Sequence, residues 1–443
     1  MLIIGNAKIL SFDEDMNIFN EAAVVIEGKT IKEIGKTEKM REKYPQASFK
    51  DAKNKVVMPG LINTHTHLYS TFARGMDLKT NQPPRNFLEI LEKLWWRLDE
   101  TLNEEDIYYS AIYALIECIK NGVTTIFDHH ASFNFIEGSL DIITDAVIES
   151  GIRANLSFEV SDRHGRKKGE AALKENERFI EKLKNSNLEK IKGLIGLHAS
   201  FTLEDETLKK AADLADHLNV PLHVHVAEGI EDWQDSVQRG YIGVIDRLKK
   251  FNILRPHTLA VHGVHIQSEE IPLLKESEAY LIHNPESNMN NAVGTAPLKQ
   301  LFESGILVGL GTDGYTHDMF ESLKVANLLQ KHELKDPQAG GNEVYRMVFV
   351  NNKKIASELL GINVGMLKEG FPADLIIVDY FPPTPIEKDN IYSHILFGMN
   401  GGMVSTVMVD GKILMDNKEV TILDYERIKR RTIQQARNFW ERF

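Results

Sequence analysis

One cysteine in 443 residues is the first informative scarcity. Cys118, within the helix-like pattern IYALIECIKNG, has no partner for an intrachain disulfide and cannot build a thiolate cluster. Any bound metal must therefore rest on histidine and carboxylate. Basic charge is also short: 52 Lys and Arg against 64 Asp and Glu give a net charge of −12. That balance argues against a nucleic-acid backbone or an anionic membrane as partner and suits a small neutral or cationic ligand. Long apolar runs are missing too. Nothing approaches the ~18 residues of a membrane span, and MLIIGNAKILSFDEDM lacks a basic region ahead of an apolar one, so a cytoplasmic protein is expected.

What the chain does have is room and rhythm. With 42% hydrophobic and 26% charged residues it reads as an ordinary globular protein, long enough for one large barrel and a smaller module. Through its middle, short β-branched runs alternate with longer amphipathic stretches, the pattern of βα units around a parallel sheet. Eight runs qualify as strands: Val56 to Ile62, Val123 to Asp128, Arg153 to Val160, Ile191 to Ala199, Pro221 to Glu228, Thr258 to Gly263, Ala279 to Pro285 and Ile306 to Gly314. Helical patterns follow most of them, such as Asp205 to Leu218, closed by Asn219 ahead of Pro221. The fold class expected is α/β, a (β/α)8 TIM-like barrel, with its chemistry at the carboxyl ends of the strands.

The two chain ends read as short strands around turns: LIIGNAKIL and AAVVIEGKTIKEIG at one, DLIIVDY and VSTVMVDGKILMDNKEV at the other. Neither end can bury a core alone, which predicts a small sheet shared by both. The organisation expected is residues 1–58 and 372–443 as the two parts of that module, the second adding a basic helix from Tyr425 to Phe443, with residues 59–371 as the barrel. Tyr69 to Glu100, carrying Pro83-Pro84 and Trp95-Trp96, is a candidate cover for the barrel mouth.

Metal-capable residues gather where a barrel would put its chemistry. His65 and His67 end the first strand and share one face of it; Asp128, His129 and His130 end the second. His198 ends the fourth, His225 and Glu228 the fifth, His262 the sixth, His283 and Asn284 the seventh, and Asp313 the eighth. His65, His67, His225 and Asp313 offer three nitrogens and one oxygen to a divalent ion, leaving a position for water whose pKa falls towards ~7. Glu228, three residues beyond His225, suits proton transfer between that water and a substrate nitrogen, and His262 and Asp313 suit orienting and deprotonating the water. His198, His130 and His317 are candidates for substrate contact, with Arg163 and His265 as further loop candidates. His129 and His130 point to opposite faces of an extended strand, so at most one lines the mouth. His223 reads as a core residue.

These motifs, PGLINTHTH, HVAE, HGVH, HNPESN and LGTDG in that order, resemble the metal-dependent amidohydrolase superfamily. The likeness is to its aminohydrolase branch, with the s-triazine chlorohydrolases, guanine deaminase and S-adenosylhomocysteine deaminase. Within that branch DHHAS, FEVSDRHG and GTDGYTHDM are most similar to the SsnA-type aminohydrolases. The resemblance implies His65, His67, His225 and Asp313 as ligands of one divalent ion, zinc first, with iron or manganese accepted by the same donors. Two-metal members carry a lysine near the end of strand four; here Lys192 lies at its start. The likeness also implies a composite terminal β-sandwich and a homo-oligomer. Tyr315 to Asp318, and Asn288 to Asn291, depart from the family's usual loops, so substrate identity is not carried over.

The activity expected is hydrolysis of a C–N bond in a purine, pyrimidine or triazine-like amino-heterocycle with release of ammonia. Ring opening by the same nucleophile is the alternative, and a non-catalytic scaffold a third reading. A zinc deaminase of nucleic acid would need cysteine ligands that the chain lacks.

Overall fold

The protein is described by a computed structural model over residues 1–443. Five strands come first: β1 (Leu2–Leu10), β2 (Ile18–Glu27), β3 (Thr30–Lys36), β4 (Ser48–Asp51) and β5 (Val56–Pro59). Nine parallel segments follow: β6 (Leu61–Thr66), β7 (Val123–His130), β8 (Arg153–Val160), β9 (Ile191–Gly193), β10 (Ile195–Ala199), β11 (Leu222–Val226), β12 (Leu259–His262), β13 (Tyr280–His283) and β14 (Val308–Leu310). The last strands are β15 (Leu375–Val378), β16 (Val404–Val409), β17 (Lys412–Asp416) and β18 (Glu419–Val420). No helix is long and apolar enough to cross a membrane.

The segments β6 to β14 run in sequence order around a (β/α)8 barrel, β9 and β10 being one strand interrupted at Leu194. Both chain ends combine in a second, mixed sheet ordered β18-β17-β16-β15-β5-β1-β2-β3, with β4 beside β1. Ile9, Val24, Val57, Leu375, Ile377 and Met408 share one small apolar core within it. The N–H of Ile31 donates to Phe371 O and that of Gly370 to Ile31 O, so the sheet folds over on itself as a sandwich. Arg153, at the start of β8, ties the two bodies together by a bidentate pair with Asp374 (2.6 and 3.1 Å) and a contact with Asp410.

The run Val56 to Ile62, continuous in sequence, is divided between the two sheets. Val56–Pro59 pairs with β1 and β15, and the barrel strand begins at Leu61. Gly60 makes the crossing so close to Thr124 that a Cβ would lie 2.2 Å from its methyl carbon, so a larger residue would force the strands apart. The predicted helix at Asp205–Leu218 is present, and Asn219 ends it in the left-handed conformation (φ 54°). The C-terminal helix Tyr425–Arg442 packs on helix Glu104–Lys120, where Gln435 and Arg442 reach Asp106 at 2.7 and 2.6 Å. Trp440 Nε1–H donates to Phe72 O (2.8 Å), so this helix also braces the segment leading to the barrel mouth.

Barrel closure is thin in backbone bonds. Across the seam between β14 and β6, the N–H groups of Thr312 and Asp313 donate to His65 O at 3.1 and 3.0 Å. Buried side chains supply the rest. Asn352 donates to Ile62 O (2.9 Å) and Leu310 O (2.8 Å) and accepts from Leu310 N–H (2.9 Å), while Asn63 donates to Thr312 Oγ1 (2.8 Å). Asn352→Ala leaves several buried backbone groups without partners, each costing about 1–3 kcal/mol. The variant is expected to lose about 3–5 kcal/mol of stability by urea unfolding; a loss below about 1 kcal/mol would mean that the backbone closes the seam unaided.

Candidate active site

Four imidazoles converge at the carboxyl ends of the barrel strands, and each is fixed from behind. His67 Nδ1–H donates to His129 O, and His225 Nδ1–H to His198 O (2.9 Å). His65 Nδ1 meets His223 Nε2 (2.9 Å) and His262 Nδ1 meets Asn288 Oδ1 (2.8 Å). Such outer bonds leave every Nε2 aimed inward. His67 and His65 Nε2 lie 3.0 and 3.4 Å from Asp313 Oδ1, and His225 Nε2 lies 3.3 Å from His67 Nε2. The Nε2 atoms of His65 and His262 are buried with no hydrogen-bond partner. Orphaned nitrogens beside a carboxylate are the donor set that a divalent cation satisfies, so the residues fit a zinc-class metal.

The same pocket carries a proton-transfer group. Glu228 Oε2 lies 3.3 Å from His262 Nε2, which is 3.7 Å from Asp313 Oδ2, and Asn291 Nδ2–H donates to Glu228 Oε1 (3.2 Å). Three turns that set this geometry are left-handed: Ala227 (φ 49°), His262 (φ 78°) and Asp313 (φ 55°). A residue with a side chain pays of order 1–3 kcal/mol for such a backbone, and strain of this kind collects at functional sites.

Burial dominates the electrostatics. It drives the imidazoles of His65, His130, His198 and His283 down to about 3. His67 is the exception: burial opposes its charge, yet the Asp313 carboxylate beside it raises it to about 9. Asp313 is held well below the usual carboxylate range, its burial outweighed by hydrogen bonds from His65 and His67. Glu228 moves the other way, its carboxyl raised by burial against the pull of His262. Asp128, which accepts Leu68 N–H at 2.8 Å and so holds the turn after His67, is pushed up to about 7 by burial.

A cavity of about 820 Å³, including its open mouth, lies over these groups. Its cover is the helical stretch Phe87–Thr101, in which one wide turn at Leu91–Trp95 interrupts the α-helix. That extra residue lets Trp95 and Trp96, neighbours in sequence, both face the cavity with Phe87, Leu91 and Asp99. His198 lines the wall, its Nδ1 bonded to Thr202 Oγ1 (2.7 Å), as does Tyr315 from the loop after β14.

Two of the expected substrate contacts lie elsewhere. His130 does not line the cavity: neighbours in a strand alternate, His129 takes the inward side against His67 and His225, and His130 bonds Ser132 Oγ (2.8 Å) between Tyr69 and Phe158. His317 is also off the cavity, buried against Thr66 Oγ1 (3.2 Å), because Asp318 caps helix Met319–Leu334 and turns the loop inward. His265 stands outside the wall, and His223 is a core residue supporting His65. Sequence reasoning passed over Glu159, Asp99 and Asp232, which do line it. Glu159 sits at the end of β8, where the strand-end rule alone would have found it.

Barrel, inward imidazoles and a buried acid together define a hydrolase with a histidine and carboxylate metal-type centre. The Amidohydrolase family profile matches residues 56–414. The chain belongs to that family. It is 36% identical over 434 residues to the 5'-deoxyadenosine deaminase of Methanosarcina mazei, covering 96% of this chain and 95% of the relative. It is 33% identical over 433 residues to the 5-methylthioadenosine/S-adenosylhomocysteine deaminase of Carboxydothermus hydrogenoformans, covering 97% and 96%. An adenosine deaminase from Xanthomonas campestris with bound zinc shares the fold, with a TM-score of 0.85, 21% identity and coverage of 100% and 99%. By these relationships the chain is a hydrolase of carbon–nitrogen bonds other than peptide bonds, of the deaminase type that acts on amino-heterocycles.

Proposed function

We propose that this enzyme removes the exocyclic amine of a 6-aminopurine nucleoside, 5'-deoxyadenosine being the first candidate, and releases ammonia. The observation that carries the reading is that Glu228, His262 and Asp313 bring their polar atoms within 4.8 Å of one another on the wall of one cavity. The aromatic cover of Phe87, Trp95 and Trp96 suits a flat base, and the names of the full-length relatives supply the purine nucleoside.

His65, His67, His225 and Asp313 would hold one divalent ion, zinc first and iron or manganese on the same donors. Bound there, it would supply Lewis acidity and lower the pKa of water towards ~7. The chain's own groups do the rest. Asp313 accepts the proton of the attacking water, and His262, fixed by Asn288, orients that water at Nε2. Glu228, whose carboxyl burial keeps protonated above the ordinary range, gives its proton to the ring nitrogen beside the attacked carbon. Asp313 then passes its proton to the amine, the C–N bond breaks with release of ammonia as the new C–O bond becomes a carbonyl, and the hydroxyl proton restores Glu228. Within this reading residues 59–371 carry the chemistry, and residues 1–58 and 372–443 support it.

His65→Ala combined with His67→Ala is expected to abolish bound zinc, measured by elemental analysis after supplementation, together with ammonia release. Full turnover in that variant would sink the metal assignment. Glu228→Gln should retain the metal and lower kcat by about 10²–10⁴-fold; a kcat within about threefold of the parent would remove Glu228 from proton transfer. An ammonia assay across amino-heterocycles separates deamination from ring opening: a cleaved ring with no ammonia would overturn the main reading.

A further inference from the structure

Between His225 and Glu228 the chain holds one residue in a conformation it would not choose: Ala227, with φ 49°. Its carbonyl accepts His265 N–H (2.8 Å), and Val226 O accepts Gly263 N–H (2.9 Å), both from the loop after β12. Its own N–H goes elsewhere, to Asp232 Oδ2 (2.9 Å). The other oxygen of that carboxyl accepts Phe201 N–H (2.9 Å), from the segment that follows His198. One side chain thus joins the carboxyl ends of two neighbouring barrel strands, β10 and β11.

Helix capping does not account for this carboxyl. Asp232 stands in the first turn of helix Ile230–Gln238, where an acid ordinarily reaches back to the N-cap N–H; here it passes Gly229 and reaches Ala227 and a second loop. It is 2% exposed and has no ion pair, the nearby Arg247 turning to Asp205 (2.8 Å). Burial raises the carboxyl to about 7 against the pull of the two N–H groups. Glu228, by contrast, has little holding its tip: one hydrogen bond from Asn291 (3.2 Å) and the 3.3 Å contact with His262. Its aim therefore depends on the backbone that carries it.

We propose that Asp232 is a positioning residue for Glu228: by holding Ala227 N–H it fixes the left-handed turn that aims the acid at His262 and into the cavity. The proposal rests on the proton-transfer role given to Glu228 above. Without the carboxyl, Ala227 relaxes towards an ordinary φ and Glu228 swings away. His225, ahead of the turn and anchored through Nδ1–H to His198 O, keeps its place. Glycine has no steric objection to positive φ, so a glycine at position 227 keeps the turn without help from Asp232.

A double-mutant cycle on the zinc-loaded enzyme, with 5'-deoxyadenosine as substrate, tests this. Asp232→Ala is expected to lower kcat by about 30-fold or more with KM within about threefold of the parent, because a misplacement of about 1 Å can cost 10²-fold. Zinc content should equal the parent's. In an Ala227→Gly background the same change should cost less than about fivefold, and Asp232→Asn, which keeps one acceptor, should fall between parent and Asp232→Ala. Equal losses in both backgrounds, a loss carried by KM alone, or a kcat within about threefold of the parent overturns the proposal. A crystal structure of Asp232→Ala tests the geometry apart from turnover. Ala227 is expected to leave positive φ and Glu228 to leave His262; retention of φ near 49° with the 3.3 Å contact overturns the proposal, whatever the enzyme deaminates. If the swing is seen and Glu228→Gln nonetheless keeps the parent's kcat, the proton-transfer reading fails and the positioning of the side chain stands. Should Asp232→Ala not fold, Asp232→Leu, closer in shape and equally without acceptors, carries the same cycle and structure.

Discussion

Closure of the barrel between its first and last strands is the constraint on which the site depends. His65 of β6 with His67 just beyond it, and the carboxylate of Asp313, lie on opposite sides of that seam, and only its closure sets His67 Nε2 3.0 Å from Asp313 Oδ1. Backbone bonds there are few, and Asn352 and Asn63 supply by side chain what the ladder lacks. A metal ion bound across such a seam, as proposed, would link the first barrel strand to the loop after the last, so that affinity and closure would reinforce each other.

Left-handed backbone recurs at the ends of the strands that carry the site. His262 and Asp313 occupy left-handed backbone where a barrel strand turns into its loop, and Ala227 does so between His225 and Glu228. The barrel strands around them are densely buried, which is what lets these residues be held in unfavourable conformations. Behind them the polar support is nearly continuous, from His223 under His65 to Asn288 under His262.

Periodicity and strand-end placement made the barrel legible, because eight β-branched runs, seven of them read as ending in polar, metal-capable residues, have few other physical explanations. They also placed His65, His67, His225, His262, Glu228 and Asp313, all of which the structure brings together. Legibility failed where an outcome hung on one residue of phase or on three-dimensional partners. The break in the run Val56 to Ile62 at Pro59-Gly60 was readable, but not its reason, since Gly60 is required by Thr124, a neighbour only in space. Parity could say that His129 and His130 diverge, not which faces inward. Asp99 was invisible because its place follows from a wide turn in the cover helix, and hydrophobic spacing does not encode such a turn. Arg163, a loop candidate for substrate contact, does line the cavity, and what its residue type could not tell is that its guanidinium is already paired with Glu159 and Asp99.

The solitary cysteine has a practical corollary. Cys118 is completely buried in helix Glu104–Lys120, and burial raises its thiol well above the ordinary range, so the folded surface offers no native thiolate to alkylating reagents. A single cysteine introduced at an exposed site just ahead of the cover, such as Arg85, would carry a fluorophore without any background substitution. The aromatic roof formed by Trp95 and Trp96 is thereby open to direct optical observation while substrates come and go.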